Sequence, residues 1–334
     1  MDKIILSNLT DYQKSLLTRL AYIDIDFQEF QSLKKKETTI TISTLKSLIK
    51  HPNDPYLGNL QIPKLKKFLT GITITTTEFI DEIKFAGLSD LEIIDFASDQ
   101  KSGFNAICFK DSSQNIGFSF RGTDLKTLSS LATDGLADLE AFLTNNTEQI
   151  IEAQTLFNQN KNNSGQNFLY GHSLGGFLAE FVYLENHENI SNIFVINPLH
   201  IDSPLLDNSL KIYAFNNPKK FQCFVTGGDY VSFINEPALF ANNIRYVKNN
   251  NKSQNNPFGN HLIESAKFSK DGYFIECSKE EAFEGRTIPI INSAITIMND
   301  KKIKRFFKKA FLLSKRKFKK IFRNNNKLNK EKNK

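Results

Sequence analysis

Residues 171–175 read Gly171-His172-Ser173-Leu174-Gly175, the G-x-S-x-G spacing that seats a serine on a sharp turn between a strand and a helix. A hydroxyl is a weak nucleophile until a base takes its proton, and such a turn lifts it off the sheet to where a base can reach it. Glycines two before and two after leave room where a Cβ would strike the neighbouring strand or helix. The flanking residues fit that placement. Phe168-Leu169-Tyr170 reads as a buried strand, and the i,i+4 pairs Phe177/Phe181 and Leu178/Val182 give the following segment one apolar helix face. The chemistry this pattern points to is nucleophilic attack by Ser173 on a carbonyl.

The base must then be found. Where the chain order is serine, acid, histidine, the base comes last. Of the five histidines, His51 precedes Ser173, His172 adjoins it on the tight turn and reads as a structural neighbour, and His187 and His200 follow too closely for strands to intervene. His261 remains, in the turn-rich segment Asn256-Pro257-Phe258-Gly259-Asn260-His261. For the acid, Asp229 follows the strand-like run Phe221–Val225 through Thr226-Gly227-Gly228, at a strand's carboxyl end, where α/β sites gather. Position favours Asp229, with Asp202 and the nearby Asp207 as alternatives and a helix cap as its bland role. An oxyanion needs donors. The backbone N–H of Leu174 is one, and Thr123, in Ser119-Phe120-Arg121-Gly122-Thr123-Asp124, offers both an N–H and a hydroxyl as the other. Arg121 has a bland reading as an ion-pair residue and Asp124 as a helix cap.

The elements that must hold these residues follow from patterning. Residues 1–90 read as mostly helical, a region packed on the core. From 91 the pattern changes to short β-like runs at Leu91–Phe96, Phe104–Phe109 and Ile116–Phe120. Helical stretches follow over Leu125–Asn158 and Leu174–Leu184, with strand-like runs at Asn167–Tyr170, Asn192–Ile196, Lys211–Phe215, Phe221–Val225 and Ile244–Val247. Strands alternating with helices imply an α/β fold, its central sheet mostly parallel and covered on both faces. The division is therefore a helical region 1–90, a catalytic core 91–285 and a tail 286–334.

Charge is concentrated in that tail. Residues 301–334 hold 16 Lys or Arg against Glu331 alone, a net +15, so the other 300 residues carry −8 of the formal +7. A claim about polyanions belongs to the tail, and nucleic acid is not an expected partner. At about 100° per residue, Ile303, Phe306, Phe307, Ala310, Phe311, Leu313, Phe318, Ile321 and Phe322 share one side, with Leu312 an exception and most cations opposite. That pattern predicts a basic amphipathic helix lying in an anionic membrane surface over 300–323, against the bland reading of a solvated tail. The three cysteines are far apart, which excludes a disulfide scaffold and suggests no metal site. The first residues lack the features of a Sec-type leader, and no run of about 18 apolar residues suggests a transmembrane helix. A cytoplasmic or peripheral membrane location is expected, with export by a non-Sec route open.

Taken together, Ser119–Asp124, Gly171-His172-Ser173-Leu174-Gly175-Gly176, Gly228-Asp229-Tyr230-Val231, and Asn260-His261 followed by the apolar stretch Leu262–Phe268 resemble the class 3, fungal-type lipases and their bacterial relatives. The resemblance spans about residues 90–275. It implies an α/β-hydrolase fold, Thr123 as an oxyanion donor, Asp229 rather than Asp202 as the acid, and a lid corresponding loosely to residues 125–160. Tyr230 departs from it, standing where the family often has Pro, and neither residues 1–90 nor the tail has a counterpart in the fungal enzymes. The expected activity is ester hydrolysis, lipase or phospholipase in kind, by Ser173, His261 and Asp229 without metal or organic cofactor. An acyltransferase or thioesterase with the same three residues, and a non-catalytic membrane-associated module, are the alternatives.

Overall fold

A computed structural model of the chain describes residues 4–36, 38–53, 74–99, 101–122, 136–199, 216–217, 219–229, 232, 243–250 and 260–283. Thr123, Asp202, Asp207, the run Lys211–Phe215, Tyr230 and the whole tail lie outside these residues.

Among the described residues three helices come first: α1 (Asp11–Leu20), α2 (Phe27–Lys35) and α3 (Thr76–Phe85). Each start carries its own signal. Thr10 and Thr75 close capping boxes with Gln13 and Glu78, and the Asp26 carboxylate accepts from the N–H groups of Gln28 and Glu29. A 3₁₀ segment, Ile42–Leu48, lies between α2 and α3. The strands β1 (Glu92–Ser98), β2 (Asn105–Lys110) and β3 (Ile116–Phe120) form an antiparallel meander. From β3 the chain runs through α4 (Leu136–Asn160) to β4 (Asn167–His172), then through α5 (Leu174–Asn186) to β5 (Asn192–Ile196). The strands β6 (Phe221–Thr226) and β7 (Ile244–Val247) follow, and β8 (Glu276–Cys277) and the short α6 (Lys279–Phe283) end the described chain. All eight strands form one sheet in sequential order, parallel from β3 to β7 and antiparallel at both ends. This is an α/β fold with a mostly parallel sheet.

A sheet buried on both faces needs apolar residues at successive positions, and the strands supply them. Along β4, Phe168 and Tyr170 face one cluster and Leu169 the other; along β5, Phe194 and Ile196 oppose Ile193 and Val195. The first cluster is completed by Leu16, Leu17 and Leu20 of α1 and by Phe79, Ile80 and Ile83 of α3. The second is completed by Ala153, Leu156 and Phe157 of α4 and by Leu178, Ala179 and Val182 of α5. The N-terminal helices thus roof one face while α4 and α5 cover the other. The lid implied for residues 125–160 does not hold over the last turns of α4, where Ala153 and Phe157 are buried against the sheet. No helix among the described residues is long and apolar enough to cross a membrane.

Candidate active site

The turn between β4 and α5 holds Ser173 at φ 55°, ψ −126°, a conformation that costs a non-glycine residue about 1–3 kcal/mol. Close packing forces that geometry. A Cβ on Gly171 would run into the Gly175 carbonyl, and one on Gly175 into the carbonyl of Phe120 at the end of β3. A Cβ on Gly122 would sit 3.0 Å from Cβ of Ser173, so the chain leaving β3 passes directly beside the serine. Leu174 opens α5, and the first N–H groups of a helix have no acceptor within it. Arg121 donates from its guanidinium to the Gly103 carbonyl at 2.7 Å.

Asp229 follows β6 and His261 precedes the 3₁₀ segment Ile263–Ser265. Their side chains meet: Nδ1 of His261 lies 3.0 Å from Oδ1 of Asp229, with the two side chains 1% and 0% exposed. The carboxyl oxygen accepts, so Nδ1 carries the proton and Nε2 keeps its lone pair. Ser232 donates its hydroxyl to Oδ2 of Asp229 at 2.6 Å. The neighbouring backbones are stitched as well, Asn260 Nδ2 donating to the Gly228 carbonyl and Asn249 Nδ2 to both Asn260 Oδ1 and the Gly227 carbonyl. Oγ of Ser173 and Nε2 of His261 are among the buried polar atoms at this end of the sheet that have no hydrogen-bond partner among the described residues. One is a hydroxyl that can give up a proton, and the other a ring nitrogen that can take one. The His261 ring lies against that of His172, the residue preceding the serine, at 4.9 Å centroid to centroid with the planes tilted by 41°.

His172 is more than a structural neighbour. Its Nε2 lies 2.7 Å from the backbone carbonyl of His261, and its Nδ1 lies 2.7 Å from the hydroxyl of Tyr22. Burial, with the nearby His261 adding to it, pushes the His172 pKa down to about 3, so the ring is neutral. Burial likewise pushes the Tyr22 hydroxyl up, keeping it protonated. Asn197, at φ 46° after β5, was also not singled out from the sequence. It is fully buried, and its side-chain amide donates to the same His261 carbonyl at 2.9 Å. One signal in the sequence does foreshadow the His172 contact. Strand alternation puts His172 on the face of Phe168 and Tyr170, beneath the N-terminal helices.

No protein-family model matches the chain, and no curated protein does. Among solved structures, a triacylglycerol lipase from Penicillium expansum is similar at 13% identity and a TM-score of 0.33, over 57% of this chain and 75% of that one. A likeness that slight assigns no residue, and the site stands on its own geometry.

Proposed function

We propose that the chain is a serine ester hydrolase of the α/β-hydrolase type, acting on lipid or phospholipid esters. The observation that carries this is the His261–Asp229 pair, whose free Nε2 stands at the same end of the sheet as the strained, unpartnered Ser173. In the reaction, Oγ of Ser173 attacks the ester carbonyl carbon while Nε2 of His261 takes its proton. The oxyanion is held by the Leu174 N–H and by Thr123. Collapse expels the alcohol, which receives the proton from His261, and leaves an acyl-serine. Water then adds to that ester with His261 again as base, and the carboxylic acid leaves as Ser173 recovers its proton. Asp229 fixes the tautomer throughout and offsets the charge of the imidazolium. The Phe-rich basic segment 300–323 supports a lipid substrate met at an anionic surface. The test is hydrolysis of a panel of lipids and soluble esters by wild type and by Ser173→Ala, with labelling by a fluorophosphonate. Loss of the nucleophile should lower kcat by about 10⁶ with an unchanged circular dichroism spectrum. Retained turnover by Ser173→Ala rejects the assignment, and transfer of the acyl group to an added alcohol or thiol in preference to water would redirect it to an acyltransferase.

A further inference from the structure

The base is held in place from a part of the chain that lies outside the sheet altogether. His261 presents two groups to its surroundings: a side chain bound to Asp229, and a backbone carbonyl that receives two side-chain donors, His172 Nε2–H at 2.7 Å and Asn197 Nδ2–H at 2.9 Å. The direction of each bond is settled by chemistry. A carbonyl only accepts, so His172 carries its proton on Nε2 and offers a bare Nδ1. Tyr22 must then donate its hydroxyl to that Nδ1, and the phenolic oxygen is left to accept from the Gly122 N–H at 3.0 Å. The result is one unbroken series: Gly122 N–H to Tyr22 O–H to His172 Nδ1, and His172 Nε2–H to the His261 carbonyl. Tyr22 follows α1, and Arg19 of α1 itself pairs through Nε with Glu264, three residues past His261, at 2.9 Å.

Both ends of the series bear on the reaction. At one end Gly122 lies against Ser173, so engaging its N–H with Tyr22 fixes the Arg121–Gly122 peptide beside the serine. At the other end the His261 carbonyl fixes the backbone from which the imidazole projects. Asn197 registers the same carbonyl to the strands: its own carbonyl accepts from the Ser173 N–H, its N–H donates to Phe224, and its Oδ1 accepts from the Thr226 N–H. A single residue in a left-handed conformation thereby links the ends of β4 and β6 to the segment bearing His261.

Resting on the serine-hydrolase reading, we propose that Tyr22, acting through His172, and Asn197 are positioning residues that clamp the His261 carbonyl, so that the helical region 1–90 supplies part of the catalytic apparatus. None of the three touches the reacting atoms. Their contribution is to hold Nε2 of His261 and the Gly122 backbone in place beside Ser173, where a misplacement of about 1 Å costs as much as about 100-fold in rate.

The experiment uses the full chain as wild type, Tyr22→Phe and Asn197→Gly. It measures kcat and KM on a soluble ester, the rate of fluorophosphonate labelling, and the His172 tautomer by long-range ¹H–¹⁵N correlation. In the wild type, His172 should show a proton on Nε2 alone through the neutral pH range. Tyr22→Phe should lower kcat and the labelling rate by about 10- to 100-fold with KM nearly constant, and the Nδ1 resonance of His172 should shift as its hydrogen bond is lost while the proton stays on Nε2. Asn197→Gly keeps a residue tolerant of φ 46° and removes the other donor; it should show the same fall in kcat while His172 keeps its tautomer. A Tyr22→Phe protein that labels at the wild-type rate, or one that labels slowly with the His172 Nδ1 resonance unmoved, overturns the proposal. So does an Asn197→Gly protein of unaltered kcat, which also decides the matter if Tyr22→Phe does not fold. Failure of wild type to label at Ser173 would overturn the hydrolase reading and this proposal together, whereas a labelled wild type with unaffected variants overturns only the clamp.

Discussion

Ser173 occupies a backbone conformation that an isolated serine avoids, and the surrounding packing holds it there: the Gly175 Cα is pressed against β3, and the Ser173 N–H is tied to the Asn197 carbonyl. Strain sustained by packing of this kind marks sites where pre-organisation has a use. The same economy holds for Asp229, whose two carboxyl oxygens are each engaged, one by His261 and the other by Ser232. Replacing it with Asn keeps the volume but gives one of those positions an N–H₂ group. The His261 tautomer is then no longer enforced, and kcat should fall by about 10⁴, while Asp202→Asn should be mild. Steady-state kinetics on both variants checks this, and the reverse order would move the acid to Asp202. At this scale the sequence was informative about Ser173, Asp229 and His261, because chain order and turn chemistry constrain them locally. For His172 it disclosed only the face of the strand, because its partners Tyr22 and His261 lie 150 and 89 residues away.

Among the elements, the contact between the start of α5 and the end of β3 is the tightest constraint on the site. A Cβ at Gly175 would meet backbone atoms of Phe120 and Arg121, which have no rotamer to retreat into. Gly175→Ala should therefore lower stability by about 1–3 kcal/mol. It should also lower kcat well below the melting temperature, because the backbone it displaces leads to Gly122. Calorimetry and kinetics on the one variant test both parts, and normal kcat in a destabilised protein would separate the elbow's packing from its chemistry. On the opposite side of α4, Glu152 accepts from Ser102 Oγ and stands near Asp99; partial burial raises its pKa to about 7, and the Asp99 charge adds to this. A carboxyl whose folded pKa is raised favours the fold when protonated, and that advantage disappears as pH rises through the folded value. Glu152→Gln should accordingly melt higher than wild type above pH about 7 and show no gain below its unfolded pKa of about 4.3, the difference being small because the group is only partly buried. Melting curves across that range give the answer. The strands β3, β5 and β7 begin and end where apolar runs and turn residues place them, since an interior strand is marked by its own composition. The two-residue β8 carries no period of its own, and it forms because Tyr246 and Val247 of β7 offer an edge to pair with.

At the scale of the whole molecule, the sheet needs cover on both faces, and the two covers differ in origin. The second face is closed by helices that connect the strands, whereas the first is closed by α1 and α3, from the region before the sheet. That helices precede the sheet was legible in the sequence; that Tyr22 and Arg19 would reach the His261 segment was not, because only the docking of α1 across β3 and β4 brings them there. Charge is divided as sharply as cover: −8 on the first 300 residues and +15 on the last 34. An acidic body is repelled by an anionic bilayer, so productive binding to one would fall to the tail. Each cation near such a surface contributes about 1 kcal/mol, and the aromatic side of the segment would add apolar burial. Deleting residues 300–334 should therefore leave turnover of a small soluble ester nearly intact, since Ser173, Asp229 and His261 all precede the cut, while hydrolysis in phosphatidylserine liposomes falls sharply. Salt of about 1 M shortens the screening length to about 3 Å and should weaken liposome binding of the intact chain, with the apolar side retaining part of it. Cosedimentation of both proteins with those liposomes is the measurement, and equal binding with and without the tail would return residues 300–334 to the role of a solvated polycation.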